Sequence, residues 1–176
     1  LIDDDEAFVY MFGDDLTLCN GFPPVTQQLK DIYEKEHPSA VLGVQEVPWK
    51  EVSRYGTVRY RENSKHKYDI EGILEKMPED KAYSNKAQFG RFIFTNDVMK
   101  KAKNQKTGKD GELWITDMLN ELAQEGKRVI AHPIKGEWLT TGDPLRYMKT
   151  MLKFAMNRED MRDDIKEYIE HEICGS

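Results

Sequence analysis

Two adjacent carboxylates, Asp14 and Asp15, directly follow a short apolar run at residues 8–12. A continuous apolar run of this length is typical of a buried parallel strand, and ligands favour the carboxyl end of such strands. One or two carboxylates at that position suit Mg²⁺, which keeps several of its own waters. Since side chains alternate along a strand, only one of the two would face the site. The alternative is that Gly13 and the two aspartates simply begin a turn, where aspartate is common.

A second candidate pair, Glu75 and Lys76, ends a strand-like stretch just before Met77 and Pro78. Neighbouring strand residues point to opposite faces, but the junction before a proline bends the chain, and a bent end presents both side chains to one ligand. A carboxylate accepts hydrogen bonds from sugar hydroxyls and an ammonium pairs with phosphate, so the pair suits a sugar phosphate. A solvated strand end is the alternative interpretation.

The composition excludes several classes of function. Lys and Arg total 26 against 32 Asp and Glu, and the resulting net charge of −6 has the wrong sign for a nucleic-acid-binding protein. No apolar run approaches the roughly 20 residues that span a bilayer, and the acidic start does not resemble a signal peptide, so no membrane partner is expected. The cysteines, Cys19 and Cys174, have no metal or redox spacing and are expected to be reduced, as in a cytoplasmic protein.

The elements that position these residues alternate between strands and helices. Apolar positions recur at helical spacing over residues 24–36, and a second buried strand follows at residues 40–44. Strand, helix and strand in this order predict a βαβ crossover with a parallel sheet and the α/β class. Residues 56–60 and 68–75 predict a surface hairpin.

Strands and helices continue to alternate in the second half of the chain. A strand is predicted at residues 87–94, followed by a helix capped by Asn96. Thr116 is expected to cap the next helix, and Asp143, just before Pro144, the one after. With 176 residues, no initiator Met and a strand that begins almost at once, the chain is expected to be one compact domain that starts in mid-protein.

Several runs of sequence together resemble the UTP–glucose-1-phosphate uridylyltransferases of the prokaryotic type, also called UDP-glucose pyrophosphorylases. The resemblance covers nearly the whole chain, and its specificity comes from the order and spacing of the runs. They are residues 12–15 (FGDD), 44–48 (VQEVP), 53–58 (SRYGTV), 74–76 (LEK), 84–87 (SNKA), 90–93 (GRFI), 111–117 (GELWITD) and 141–145 (TGDPL).

The resemblance implies a nucleotide-diphospho-sugar transferase fold, Rossmann-like, with a mixed sheet flanked by helices. It implies in-line attack of glucose 1-phosphate on UTP, assisted by Mg²⁺, to give UDP-glucose and pyrophosphate. By the same resemblance Asp14 is the Mg²⁺ ligand and a catalytic residue, Lys76 is catalytic and holds phosphate, and Glu75 binds the sugar. The remaining substrate-binding residues that it implies are Gly56, Asn85, Thr116 and Asp117.

Two departures from the family pattern change these expectations. Thr140 stands where the family has an aspartate that completes the metal site, so Mg²⁺ is expected to be held weakly, through water, or by Asp143 instead. The family's first third, with the glycine-rich loop that binds UTP, has no counterpart in the sequence. Residues 1–176 are therefore expected to be the C-terminal two-thirds of a nucleotidyltransferase domain, its sugar-binding half plus the C-terminal helices.

Such a chain is expected to be inactive alone and to expose residues 8–12 as an apolar edge that favours a homo-oligomer. Two other functions stay open at this point. One is a sibling nucleotidyltransferase of the thymidylyltransferase type, with the same sugar and metal chemistry. The other is a non-catalytic domain that binds sugar phosphate and has lost the metal site.

Overall fold

In the computed structural model of this chain, the described residues are 2–4, 6–105, 111 and 113–175. They form eight strands, five α-helices, a short 3₁₀ helix at Trp49–Arg54 and a final π-helical turn at Ile169–Ile173. The strands are β1 (Ala7–Met11), β2 (Asp15–Leu18), β3 (Ala40–Glu46), β4 (Gly56–Tyr60), β5 (Ile70–Glu75), β6 (Lys86–Thr95), β7 (Val129–Pro133) and β8 (Glu137–Thr140). The α-helices are α1 (Val25–Glu36), α2 (Asn96–Asn104), α3 (Ile115–Gln124), α4 (Pro144–Met156) and α5 (Arg162–Tyr168).

Strand β6 is the longest strand and organises a six-stranded mixed sheet. One of its sides pairs with β3, which is parallel to β7, and its other side pairs with β1 and, near Ala87, with β4. Strands β4 and β5 form the predicted antiparallel hairpin. The mixed sheet and the helices that flank it confirm the expected fold class.

The first strand is not the buried, parallel strand that its apolar run predicts, but the exposed apolar edge expected at residues 8–12 is confirmed. Strand β1 is an edge strand, antiparallel to β6, and three of its apolar side chains, Val9, Tyr10 and Met11, are exposed. It does run in the same direction as β3, as a βαβ unit requires, but β6 lies between the two. A strand from much later in the sequence thus separates the two strands that the local pattern makes neighbours.

The core lies on both faces of the central sheet. Helices α2 and α3 cover one face, where Phe92 and Leu119 are fully buried, and α1 covers the other through Val25 and Leu29. Alternate residues of β3 and β6 serve the two faces, as the period of a strand requires. The sheet is therefore a rigid support for whatever its strand ends carry.

The helix starts partly follow the predictions. Asp143 caps α4, because its carboxylate accepts a hydrogen bond from the backbone N–H of Arg146. The cap of α2 is Thr95 instead of Asn96, since the Thr95 hydroxyl accepts from the N–H two residues on. Thr116 caps nothing: Trp114 occupies the N-cap position of α3, and Thr116 lies inside the first turn, buried.

A separate two-stranded sheet joins β2 to β8. Asp15 pairs with Thr140 in its register, which brings the carboxylate pair beside the segment that leads into α4. None of the helices among the described residues is long and apolar enough to cross a membrane.

Candidate active site

A cleft of about 480 Å³ opens where the ends of several strands meet. Six of the residues singled out in the sequence line it: Asp14, Asp15, Gly56, Glu75, Lys76 and Thr140. Its other lining residues are Phe12, Arg54, Tyr55, Gln88, Phe89, Trp138 and Gly142.

The two adjacent aspartates have different environments. Asp15 is 6% exposed, and its carboxylate accepts hydrogen bonds from the backbone N–H of Gly90 at 2.7 Å and from the indole N–H of Trp138 at 2.6 Å. Burial raises the pKa of the Asp15 carboxyl, and these two hydrogen bonds partly oppose the shift. The Asp14 side chain is exposed. Asp14 is therefore the carboxylate available to a ligand, whereas Asp15 holds the strands together.

Close backbone approach at Gly142 places Asp14 beside Thr140. A Cβ atom at Gly142 would lie 3.0 Å from Asp14 Oδ2 and 3.4 Å from Thr140 Oγ1. The backbone N–H of Thr141 donates to the carbonyl of Asp14 at 2.7 Å, which fixes the two segments to each other. The carboxylate and the hydroxyl thus flank one short stretch of backbone at the wall of the cleft.

This donor set is small for a metal ion. Across the described ranges, no group of three or more His, Cys, Asp or Glu side chains could hold one. Mg²⁺, however, is commonly bound by one or two carboxylates together with substrate phosphates and waters. Asp14 and Thr140 therefore fit a hard cation that arrives with a phosphate, and they do not form a closed metal cage.

Asp143, the other metal ligand considered from the sequence, is engaged elsewhere. Besides capping α4, its carboxylate accepts hydrogen bonds from the guanidinium groups of Arg54 at 2.8 Å and Arg146 at 3.0 Å. The backbone N–H of Arg146, followed by these guanidinium groups, lowers the pKa of Asp143 to about 2. A cation would have to compete with both arginines for this carboxylate.

Glu75 and Lys76 both line the cleft because the chain bends between them. The bend lies at Lys76 itself, whose φ is +49°, and not at the Met77–Pro78 junction where the sequence placed it. The Lys76 N–H donates to the carbonyl of Tyr55 at 3.0 Å, so the bent backbone is anchored. The Lys76 ammonium lies 5.1 Å from the centroid of the Trp114 ring.

The Glu75 carboxylate is mostly buried and is held by a neighbour. The side-chain N–H of Gln88 donates to Glu75 Oε2 at 3.2 Å. Burial raises the pKa of Glu75; the charge of Lys76 and this hydrogen bond act against the shift, and the charge of Asp117 adds to it. A hydrogen-bonding ligand at this position would meet an oriented carboxylate.

Gly56 leaves the space that the Glu75 carboxylate and the Gln88 amide occupy. It stands opposite Glu75 in the β4–β5 register, and a Cβ atom at Gly56 would lie 2.6 Å from Glu75 Oε2 and 2.7 Å from Gln88 Nε2. Any side chain at position 56 would displace the carboxylate or the amide.

Three other residues expected at the site do not line this cleft. Asn85 precedes β6, where its carbonyl accepts from the N–H of Val47. Thr116 lines an adjoining cavity. Asp117 is exposed in the first turn of α3 and acts on Glu75 only through its charge.

Sequence reasoning missed the aromatic wall of the cleft and the Gln88 contact. Tyr55 and Trp138 meet edge to face with ring centroids 4.8 Å apart, and Phe89 stacks on Trp138 at 5.2 Å. These residues come from three distant parts of the chain, so no local spacing identifies them. The only signal in the sequence was the position of Tyr55 within the run at residues 53–58.

The chain is similar to a known protein family and to solved structures. The family model described as nucleotidyl transferase matches residues 1–157. A UTP–glucose-1-phosphate uridylyltransferase of Bacillus subtilis (strain 168) is 34% identical over 166 residues, which are 94% of this chain and 56% of that protein. UTP–glucose-1-phosphate uridylyltransferase 2 of Streptococcus pyogenes serotype M1 is 34% identical over 168 residues, with the same two coverages.

Among solved structures, a UDP-glucose pyrophosphorylase complexed with UDP-glucose superposes with a TM-score of 0.80 at 32% identity. The match covers 88% of this chain and 58% of that one. The chain thus spans somewhat more than half the length of the relatives that it matches.

Proposed function

Since this chain belongs to the nucleotidyl transferase family, we propose that it carries the sugar-phosphate part of a site that converts UTP and glucose 1-phosphate into UDP-glucose and pyrophosphate. The names of the relatives support the reaction. The observation that carries the proposal is the arrangement of Glu75, Lys76 and Asp14 in one cleft. Gly56 leaves the space beside Glu75, and Gly142 leaves the space beside Asp14.

Lys76 and Glu75 divide the recognition of glucose 1-phosphate between them. The exposed ammonium of Lys76 pairs with the phosphate, and the Glu75 carboxylate, oriented by Gln88, accepts hydrogen bonds from sugar hydroxyls. The aromatic wall formed by Tyr55 and Trp138 covers one side of the hexose. Because Lys76 and Glu75 hold the two ends of glucose 1-phosphate, its attacking phosphate oxygen starts in a defined position.

The reaction needs positioning more than a base, because the phosphate oxygen of glucose 1-phosphate is already anionic near neutral pH. That oxygen forms a bond to the α-phosphorus of UTP, the bond from the α-phosphorus to the bridging oxygen breaks, and pyrophosphate leaves. Asp14 and Thr140 would hold Mg²⁺ beside the phosphates. When bound, the ion offsets the negative charge that develops on the leaving pyrophosphate.

UTP would bind at a part of the family's site that these residues do not form. No run in the sequence resembles the glycine-rich loop of the family, and the match spans 56% of the relatives. We therefore expect the chain by itself to bind glucose 1-phosphate and to form no UDP-glucose. We also propose a cytoplasmic location, which two unpaired thiols support because reducing compartments keep thiols reduced.

Calorimetric titration of the purified chain with glucose 1-phosphate, with and without Mg²⁺, tests the proposal. Lys76→Gln is expected to weaken binding about 10-fold or more, since a charge-assisted contact to phosphate is lost. Lys103→Gln, which removes an exposed lysine of α2 outside the cleft, is the matched control and should bind like the unmodified chain. Equal binding by all three proteins would contradict the proposed site.

A further inference from the structure

Among the described residues that line the cleft, two carry a positive charge, Lys76 and Arg54. The phosphate group of a sugar phosphate carries between one and two negative charges near neutral pH, so the Lys76 ammonium alone leaves part of this charge unpaired. A second cation within reach of the same phosphate would offset the remainder. Arg54 is the side chain of the cleft with the charge for this contact.

The backbone places Arg54 close to Lys76. The N–H of Lys76 donates to the carbonyl of Tyr55 at 3.0 Å, so the residue that follows Arg54 faces Lys76 across this bond. Gly56, the next residue, pairs with Glu75 in the β4–β5 register. The two cationic side chains are long and line one cleft, so a single phosphate lies within reach of both.

A chain of ion pairs holds the Arg54 guanidinium in place. Its Nη2 donates to Asp143 Oδ2 at 2.8 Å, and Asp143 is itself fixed because it caps α4. The same carboxylate oxygen accepts from Arg146 at 3.0 Å, and Arg146 donates to Glu51 at 2.6 Å. Since Glu51 and Arg54 both belong to the 3₁₀ helix, the network fixes the end of that helix against α4.

The Arg54 guanidinium keeps N–H groups for a ligand. A guanidinium has five N–H donors in a planar fork, and the fork matches two oxygens of one phosphate. The Arg54 side chain is 48% exposed. The side chain of Arg146 is 23% exposed and is paired with two carboxylates, so Arg54 is the arginine of this network that a ligand reaches.

We infer that Arg54 is a second phosphate-binding residue of the cleft, where it contacts the phosphate of glucose 1-phosphate together with Lys76. The inference rests on the proposed function, because it concerns the same phosphate. It deepens that function by adding a contact whose charge belongs to the chain itself and does not depend on a metal ion.

Titration of the whole chain with glucose 1-phosphate in the absence of Mg²⁺ tests the inference, because no metal ion can then replace the charge of Arg54. Arg54→Gln should weaken binding about 10-fold, since charge-assisted hydrogen bonds to phosphate are lost. Arg54→Lys keeps the charge without the fork and should weaken binding only about 3-fold. Arg59→Gln is the matched control: Arg59 is also half-exposed and paired with one carboxylate, that of Glu71, but it lies outside the cleft and its loss should change nothing.

Two further measurements distinguish a phosphate contact from a structural role. Inorganic phosphate, followed by ³¹P NMR, shares only the phosphate group with the sugar ligand, and Arg54→Gln should weaken its binding as well. The urea midpoint of Arg54→Gln should stay close to that of the unmodified chain, because Asp143 keeps its helix cap and its bond to Arg146, and a half-exposed ion pair contributes little.

The outcomes separate the inference from the proposed function. Undiminished binding by Arg54→Gln, with weak binding by Lys76→Gln, would keep the proposed function and reject the second contact. Weak binding by Arg54→Gln with a lowered urea midpoint and no recovery in Arg54→Lys would assign Arg54 a structural role and also reject the contact. Undiminished binding by both Arg54→Gln and Lys76→Gln would reject the proposed function, and the inference with it.

Discussion

Replacing Gly56 with alanine should weaken ligand binding and leave the stability of the fold nearly unchanged. The added Cβ would stand 2.6 Å from Glu75 Oε2, whereas an ordinary van der Waals contact begins near 3.4 Å, so the carboxylate has to move by about 0.8 Å. Gly56 has no positive φ, so alanine is compatible with its backbone. The atoms in its way are the far ends of two side chains, which move at little cost to the fold.

The free energy of unfolding and the free energy of ligand binding should therefore respond differently to Gly56→Ala. Alanine at a compatible position stabilises by about 0.4–1 kcal/mol through the unfolded state, which offsets the cost of moving Glu75 and Gln88. We expect the free energy of unfolding to change by less than about 1 kcal/mol. A displacement approaching 1 Å in a positioned group costs up to about 100-fold, so glucose 1-phosphate should bind at least about 10-fold more weakly.

Urea denaturation and calorimetric titration of the same preparations measure the two effects. Gly13→Ala is the matched control, since nothing lies within 4 Å of a Cβ at that position. It should change neither quantity by much. Undiminished binding by Gly56→Ala, with the fold intact, would refute the argument that the Glu75 carboxylate must occupy its present position.

Three further predictions concern charge and association. Burial raises the pKa of Glu75 above its ordinary value of 4.5, so the charged carboxylate lowers the stability of the fold above pH 4.5. Glu75→Gln should therefore raise the urea midpoint at pH 7.5 and lose this gain below pH 4.5. The same variant should bind glucose 1-phosphate poorly. The exposed Glu71→Gln should show neither effect. Thr140→Asp supplies a second carboxylate and should tighten Mg²⁺ binding about 10-fold in the presence of glucose 1-phosphate, measured by titration. Asn104→Asp, which adds a carboxylate at the exposed end of α2 outside the cleft, should not. Val9 is 43% exposed on an edge strand, so Val9→Lys should reduce the self-association expected of this edge, seen as a lower sedimentation coefficient; unchanged sedimentation would exclude β1 as the interface.

Local sequence patterns were sufficient for most elements of the fold. The apolar runs, the hairpin at β4 and β5 and the cap at Asp143 depend on contacts within a few residues, which spacing and turn chemistry reveal. The neighbours of β1 were not accessible in this way. Whether β3 or β6 pairs with it depends on a strand that lies about 80 residues further along the chain, and no local pattern contains that information.

The same distinction between local patterns and distant contacts holds for the residues of the candidate site. Asp14, Glu75 and Lys76 were found because each lies at or close to the end of a strand, where a charged side chain has a definite place relative to the sheet. Gln88 was missed because it lies within a strand and acts only through a residue 13 positions away. The bend at Lys76 was assigned to the wrong peptide, since the restriction before proline is visible in a sequence and a left-handed lysine is not.

The two adjacent aspartates show why the arrangement of the site depends on its structural residues. Asp15 joins the indole of Trp138 on β8 to the backbone of Gly90 on β6, so one carboxylate ties the small sheet to the central sheet. Asp14 is the next residue, and its carbonyl is bonded to Thr141 just beyond the same β8. The position of the exposed carboxylate relative to Thr140 is thus set by the buried one. Both carboxylate oxygens of Asp15 already accept hydrogen bonds within the protein, which leaves Asp14 as the one of the two that can respond to a cation and its phosphate.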